Sequence, residues 1–107
     1  MHFYCGCGNR ISDVADRLPY KAYFLADEDD GRYADAMEAA IRDESLPIDK
    51  RVDEVVIHLQ VRYLSRCIFQ CPECGRLWVD DNDNRLHSFL PEGPVDKQLL
   101  AASREDD

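Results

Sequence analysis

Long apolar runs are absent from this chain of 107 residues, and its first residues lack the pattern that predicts a secretory leader. No stretch of 18 consecutive apolar residues occurs, which excludes a transmembrane helix. The N-terminus reaches Cys5 within four residues, without the basic start and apolar segment of a signal peptide. We therefore expect a cytoplasmic protein with no membrane partner, in a compartment where thiols stay reduced. The odd number of five cysteines also disfavours a complete set of intrachain disulfides.

Basic residues are scarce as well: 13 lysines and arginines stand against 22 acidic residues, for a formal net charge of -9. The deficit is concentrated in residues 11–45, which hold ten acids and four bases. An acidic surface repels phosphate backbones and attracts basic molecules. The composition therefore predicts a basic protein as partner and disfavours nucleic acid.

Catalytic motifs are missing too. No Ser/His/Asp, Cys/His or phosphate-loop pattern stands out, and nothing in the sequence pairs the many carboxylates in one pocket. We therefore predict that the protein is not an enzyme. No repeat or low-complexity segment divides the chain, and its length suits a single domain that spans residues 1–107.

Two close pairs of cysteines are the most specific feature that is present. Cys71 and Cys74 lie in the stretch CPECG, with two residues between them, whereas Cys5 and Cys7 lie in CGCG, with one residue between them. Thiolates at such spacings can occupy adjacent corners of a tetrahedron, and four soft sulfur ligands suit zinc. We predict one structural zinc ion bound by Cys5, Cys7, Cys71 and Cys74, with no coordination position left open for catalysis.

The long separation of the two pairs is then an insertion whose ends the metal ties together. The entropic cost of closing such a loop grows slowly with its length, whereas structural zinc contributes on the order of 10 kcal/mol. Cys67, His2 and His87 stay open as additional ligands. A small buried side chain is the simpler interpretation of Cys67, and a surface position that of His87.

The first half of the chain contains signals for two strands and a helix. Residues 2–11 predict a short strand that runs into a tight turn. Aromatic and apolar residues alternate loosely at about 20–26, which predicts a second strand. Apolar residues at helical spacing, with acids in the first turn, predict a helix over 28–44.

Residues 49–66 carry two competing periods. One set of apolar residues recurs at helical spacing: Val52, Val55, Val56, Leu59 and Tyr63. Another set alternates with polar residues as in a strand: Ile57, Leu59, Val61 and Tyr63. A length of nearly twenty residues without a turn signal favours the helix, and a partial strand stays the alternative.

The last third predicts a short strand before Cys71 and then a hairpin over 75–91. In the hairpin, two apolar runs flank the polar turn residues 81–84. Residues 95–103 predict a short C-terminal helix.

Asp27, Glu28, Asp29 and Asp30 form the densest run of charge. They are candidates for a contact patch that steers a basic partner. The simpler interpretation is a solvated segment that favours the start of a helix.

Five aromatic residues flank the two cysteine pairs: Phe3, Tyr4, Phe69, Trp78 and Phe89. They can form a small core beside the metal. The alternative is that they stack on bases, as similar residues do in ribbons that bind nucleic acid.

The stretches FYCGCGNRI and FQCPECGRLWV resemble the zinc ribbon group of small bacterial proteins, over residues 3–10 and 67–90. We therefore predict an α+β fold in which antiparallel β hairpins are joined by zinc. A helical pair is inserted at about 30–66, and a short helix ends the chain. The long acidic, helical insertion is a departure from simple transcription-factor ribbons.

The size, acidity and architecture also resemble small single-domain immunity proteins that neutralise bacterial toxins. That resemblance implies a zinc-binding protein-interaction module that inhibits a basic toxin through its acidic surface. Two alternatives remain. One is a zinc ribbon regulator of transcription or nucleic-acid metabolism. The other is a thiol-zinc redox switch, since CxC with CxxC around zinc resembles the centre of a redox-regulated chaperone.

Overall fold

The computed structural model describes residues 1–64 and 66–103, with residues 60–64 described by their backbone alone. These residues form two antiparallel sheets and two helices, which confirms the predicted α+β class. Clustering divides the chain into a ribbon unit, Met1–Ala22 with Cys67–Asp107, and a helical unit, Tyr23–Arg66. The assignment of the chain to a single domain with a helical insertion at about 30–66 stays a prediction. None of the helices described is long and apolar enough to cross a membrane.

The ribbon unit opens with a two-stranded sheet. Strands β1 (His2–Tyr4) and β2 (Arg10–Ser12) pair antiparallel, with Phe3 opposite Ile11. The sequence predicted the first strand and not the second. With three residues and only Ile11 fully buried, β2 is too short to show the alternation that marks a strand.

The second sheet has four strands in the order β3-β4-β5-β6. Their bounds are Lys21–Tyr23 for β3, Cys67–Gln70 for β4, Leu77–Asp80 for β5 and Leu86–Phe89 for β6. Phe69 lies opposite Trp78 in the β4–β5 pair, and Val79 lies opposite His87 in the β5–β6 pair. The predicted strands at 20–26 and before Cys71, and the hairpin over 75–91, are therefore confirmed.

The turn of the β5–β6 hairpin is built around one carboxylate. Asp81 Oδ1 accepts hydrogen bonds from the amides of Asp83 at 2.8 Å and Arg85 at 3.0 Å. Asn84 adopts a φ of 61°, a conformation that asparagine tolerates better than most residues. The polar turn residues recognised in the sequence thus have a specific backbone role.

The core of the ribbon unit is small and partly aromatic. Its buried apolar members among the described residues are Cys5, Ile11, Phe69 and Cys71. The Phe3 ring packs edge-on against Phe69, with centroids 5.3 Å apart, and against Trp78 at 5.2 Å. The core interpretation therefore holds for these three rings, whereas Tyr4 and Phe89 are exposed.

The predicted C-terminal helix over 95–103 is wrong, because residues 97–100 form a turn. Gln70, which is fully buried on β4, takes the backbone groups that a helix would use. Its Nε2 donates to Asp96 O at 2.8 Å, and its Oε1 accepts from the Leu99 amide at 3.0 Å. These tertiary hydrogen bonds outweigh the local helical preference of the segment.

The helical unit begins with α1 (Asp27–Arg42), close to the predicted helix over 28–44. Four acids occupy its first turn and Arg42 its last, which complements the helix dipole at both ends. Arg42 Nε also contacts Glu38 Oε1 at 2.8 Å, a pair four residues apart. No residue of α1 is fully buried.

The second helix, α2 (Ile48–Leu64), decides between the two periods in favour of the helix. Arg51 ties its start to the preceding segment: Nε donates to Leu46 O at 2.9 Å and Nη1 to Ile41 O at 3.4 Å. The predicted apolar stripe is only partly covered. Val55 is half-buried, whereas Val52 is exposed.

Candidate metal centre

The first cysteine pair lies in the turn between β1 and β2. The Cys5 amide donates to Asn9 O at 2.9 Å, and the Gly8 amide donates to Cys5 O at 2.9 Å. Gly8 has a φ of 98°, a conformation that favours glycine because it has no Cβ. The CGCG sequence therefore closes a tight turn with Cys5 and Cys7 in it.

The second pair lies between β4 and β5 in a similar turn that is one residue longer. The Cys71 amide donates to Arg76 O at 2.9 Å, and the Gly75 amide donates to Cys71 O at 2.8 Å. Gly75 has a φ of 80°, and a Cβ there would lie 2.4 Å from Val95 Cγ1. The extra residue of the turn corresponds to the extra residue between Cys71 and Cys74.

The two turns bring four thiols together. Cys5 Sγ lies 3.6 Å from Cys74 Sγ, and Cys7 Sγ lies 3.6 Å from Cys71 Sγ. All four sulfur atoms lie within 4.8 Å of one another. Zn–S bonds of about 2.3 Å in a tetrahedron place sulfurs about 3.8 Å apart, whereas a disulfide needs about 2.05 Å. The four cysteines are free and spaced as ligands of one metal ion.

N–H groups surround the two buried thiols. Cys5 is 4% exposed and Cys71 is 0% exposed. Trp78 Nε1 lies 3.5 Å and Arg76 Nη1 3.8 Å from Cys5 Sγ, while Asn9 Nδ2 lies 3.6 Å from Cys71 Sγ. Such donors stabilise negative charge on sulfur and orient it toward a metal. The site thus has a supporting shell as well as a ligand set.

Arg76 is the cation of this shell, and Gly6 makes room for it. A Cβ at position 6 would lie 1.9 Å from Arg76 Nη1. Among the described residues, Arg76 Nε is a buried nitrogen without a hydrogen-bond partner. A buried guanidinium needs a compensating negative charge, and four thiolates around a divalent ion carry a net charge of about -2. The residues present therefore fit a thiolate-bound metal.

The thiols differ in how readily they ionise. Burial raises the pKa of Cys5, but hydrogen bonds from the Cys7 amide and Trp78 outweigh it and lower the pKa to about 6. Burial raises the pKa of Cys74 to about 11, and hydrogen bonds with the other thiols act in the same direction. A metal binds the thiolate form, so its binding must displace protons from the cluster.

The other candidate ligands lie elsewhere. Within the described residues, the cluster consists of the four cysteines alone. Cys67 is half-buried, with its Sγ 3.9 Å from Asp80 Oδ2, and burial raises the pKa of its thiol. His87 Nε2 contacts Asp81 Oδ2 at 2.7 Å, and His2 is exposed on β1.

The acidic run Asp27–Asp30 forms the first turn of α1. Asp29 Oδ1 lies 3.2 Å from Arg32 Nη2, and carboxylates are favoured at this end of a helix. The simpler interpretation of the run therefore has structural support. Its role as a contact patch stays a prediction.

An apolar groove in the helical unit went unrecognised in the sequence. It has a volume of about 270 Å³ and is lined by Ile41, Ile48, Arg51, Val52, Val55 and Val56. Ile48 is 67% exposed and Val56 is 45% exposed. The helical stripe over 52–63 was the available signal, but the sequence could not show how little of it α1 covers.

Comparison with known proteins gives one match. The profile of a family described as "Domain of unknown function (DUF8617)" matches residues 1–93. No curated protein and no solved structure matches the chain. The resemblances to zinc ribbons and to immunity proteins therefore stay predictions. Because the match covers most of the chain, with the four clustered cysteines and the helices and strands of the described residues, the chain belongs to the DUF8617 family.

Proposed function

We propose that the protein is a protein-interaction module, not an enzyme, in which one structural zinc ion holds the ribbon unit and the helical unit binds a basic protein. The exposed apolar groove in the acidic helical unit is the observation that carries this proposal. The proposed compartment is the reducing cytoplasm, where free thiols persist.

The donor set of the centre supports zinc. Four thiolates arranged close to a tetrahedron suit zinc or an iron–sulfur site, and a site with four protein ligands has no open position for a substrate. Elemental analysis of the purified protein tests this part. One zinc per chain is expected, and iron or a metal-free protein would contradict it.

The groove supports binding of another protein. Side chains at its floor and edge stay exposed: Ile41 57%, Ile48 67%, Val52 54% and Val56 45%. Because about half of each side chain is already covered, burying the rest contributes about 1–1.5 kcal/mol per residue. Contiguous apolar surface of this kind is typical of interaction sites, whereas single exposed apolar residues are not.

The net charge of the helical unit favours a basic partner. The helical unit holds eleven acidic and six basic residues, a net charge of -5. Arg51 is the charged residue that lines the groove, and its Nε and Nη1 donate to Leu46 O and Ile41 O; the excess of acid belongs to the helical unit as a whole. A second copy of the chain would bring another helical unit of the same net negative charge against the first. We therefore propose a basic amphipathic helix of another protein as the occupant.

The more specific partner that we propose is a basic bacterial toxin. Support for it comes from the resemblance in size and acidity to immunity proteins. An acidic surface speeds association with a basic target at low salt and suits an inhibitor that must act quickly.

Site-specific photo-crosslinking tests the binding surface. A benzophenone side chain at position 56 lies in the groove, and one at position 14 is the control, because Val14 of the ribbon unit is 79% exposed. We expect position 56 alone to crosslink a basic protein, which is then purified for binding measurements. The substitution Val56→Asp should weaken that complex by about 30-fold or more, whereas Val14→Asp should leave it unchanged.

Charge reversal then tests the acidic run. Lysines in place of Asp27, Asp29 and Asp30 should slow association about tenfold at low salt and have less effect at high salt. An unchanged on-rate and salt dependence would exclude the acidic run as a contact patch but would not affect the proposal for the groove.

In the photo-crosslinking experiment, crosslinking to a second copy of the chain, to nucleic acid, or equally from positions 56 and 14 would contradict the proposed function.

A further inference from the structure

We propose that Cys7 is the site at which oxidants and alkylating electrophiles open the metal centre, and that Cys71 is its disulfide partner. The inference rests on the proposed zinc site. It concerns how the centre is lost, not what the helical unit binds.

The four cysteine residues of the centre differ in how exposed they are. Cys7 is exposed, whereas Cys5 and Cys71 are buried and Cys74 is half-buried. An electrophile must reach the sulfur atom directly, so exposure sets which metal-bound thiolate reacts first. Exposure alone therefore predicts that Cys7 reacts before the other three cysteines.

Hydrogen bonding strengthens the same asymmetry. Cys5 accepts from Trp78 and Arg76, and Cys71 accepts from Asn9. The hydrogen bonds described give Cys7 no N–H donor, only a contact between its Sγ and that of Cys71. N–H donors withdraw charge from sulfur and make a thiolate a weaker nucleophile. Cys7 is therefore both the most accessible thiolate and the least protected.

The geometry also points to the partner in the disulfide. Cys7 Sγ and Cys71 Sγ are 3.6 Å apart, so a small movement brings them to bonding distance. The other pair at this distance is Cys5 with Cys74. Oxidation would therefore link one cysteine turn to the other and not close a bond within either turn.

The reaction balances with a peroxide as oxidant. The Cys7 thiolate attacks one peroxide oxygen: an S–O bond forms, the O–O bond breaks, and the leaving hydroxide takes a proton to become water. The Cys71 thiolate then attacks the Cys7 sulfur: an S–S bond forms, the S–O bond breaks, and a second hydroxide leaves as water with another proton. Two thiolates lose two electrons to one peroxide, and a bound metal ion would then keep only Cys5 and Cys74 of the four thiolates that could hold it.

The experiment uses the full chain with its zinc content measured first. Less than one equivalent of iodoacetamide or of hydrogen peroxide is added in separate samples, zinc release is followed with a chromogenic chelator, and peptides are mapped by mass spectrometry. We expect Cys7 to be alkylated about tenfold faster than Cys5, with zinc release following it. Peroxide should yield a peptide pair that links residues 7 and 71. Cys67, which lies outside the cluster, serves as the internal control.

The variant Trp78→Phe gives a second measurement that keeps an aromatic ring in the core. It removes one donor to Cys5, so alkylation of Cys5 should rise severalfold while that of Cys7 stays the same. If another cysteine of the cluster reacts first, or if a disulfide forms between Cys71 and Cys74, this inference is wrong. The proposal that the four cysteines bind zinc would still stand. A starting sample without bound zinc would overturn both.

Discussion

The ribbon and helical units solve the stability problem of a short chain in different ways. The ribbon unit holds every fully buried side chain of the described residues, among them Ile11 and Phe69. In residues 23–59, whose burial is described, no side chain is fully buried. A chain of about 100 residues buries only about two-thirds of the surface that its unfolded form exposes, less than larger domains do. Here that burial is concentrated beside the cysteine cluster.

The helical unit relies on local interactions instead. First-turn acids, the Glu38–Arg42 pair and the Arg51 hydrogen bonds act within or next to the helices. Each contributes about 0.3–1 kcal/mol, and none of them covers the apolar face of α2. The two units therefore differ in where apolar surface lies: beside the four clustered cysteines in one, and exposed along α2 in the other.

Metal removal should show the largest difference between the units. A strong chelator removes a contribution on the order of 10 kcal/mol, so the ribbon unit should unfold and Trp78 emission should shift to the red. The helical circular dichroism signal should fall less, because α1 and α2 lie in the other unit. Cys71→Ala should reproduce the effect, whereas Cys67→Ala should retain zinc and the native emission. If native Trp78 emission and the helical circular dichroism signal were lost together, the two units would not differ in their dependence on metal.

A matched pair of isoleucine substitutions should give the next largest difference. Ile11 is 1% exposed in the ribbon unit, and Ile57 is 51% exposed on α2. Ile11→Ala should lower the free energy of unfolding by about 2–5 kcal/mol, through lost burial and the cavity left behind. Ile57→Ala should change it by less than about 0.5 kcal/mol. Denaturant unfolding, followed by Trp78 emission and by circular dichroism, measures both, and equal effects would contradict the contrast in packing.

The smallest effect concerns a surface interaction within the ribbon unit. Hydrogen bonds from His87 and from the Arg85 amide hold the pKa of Asp81 below its ordinary value of 3.8. The stabilisation by Asp81 is therefore complete above pH 3.8 and is lost as the pH falls through the lowered pKa. Carboxyl NMR titration should show the shift, and His87→Ala should reduce it. Titration of Asp81 at or above 3.8 would show that the turn does not hold its carboxylate.

The elements were largely predictable because their signals are local. The spacing of the cysteines identified both turns, and the turn residues 81–84 identified the hairpin. Residues 49–66 showed both a helical and a strand-like spacing of apolar residues, and the length of the segment correctly favoured the helix α2. These features depend on residues close together in the chain, which sequence patterns report directly.

Features that depend on distant residues were missed. The C-terminal turn follows from hydrogen bonds to Gln70, more than twenty positions earlier. The approach of Arg76 to Cys5 requires the missing side chain of Gly6, from the opposite end of the sequence. The uncovered face of α2 depends on the packing angle with α1, and a hydrophobic stripe does not specify that angle.

The buried amide of Gln70 also bears on where a minimal folded fragment can end. The family match stops at residue 93, but Asp96 and Leu99 complete the hydrogen bonds of Gln70. A fragment cut at the family boundary would remove the partner of Oε1 and the shorter of two Nε2 hydrogen bonds, leaving Nε2 only Gly75 O at 3.4 Å. An unpaired buried group costs about 1–3 kcal/mol. The structural boundary therefore lies beyond the turn at 97–100, several residues after the boundary that sequence similarity defines.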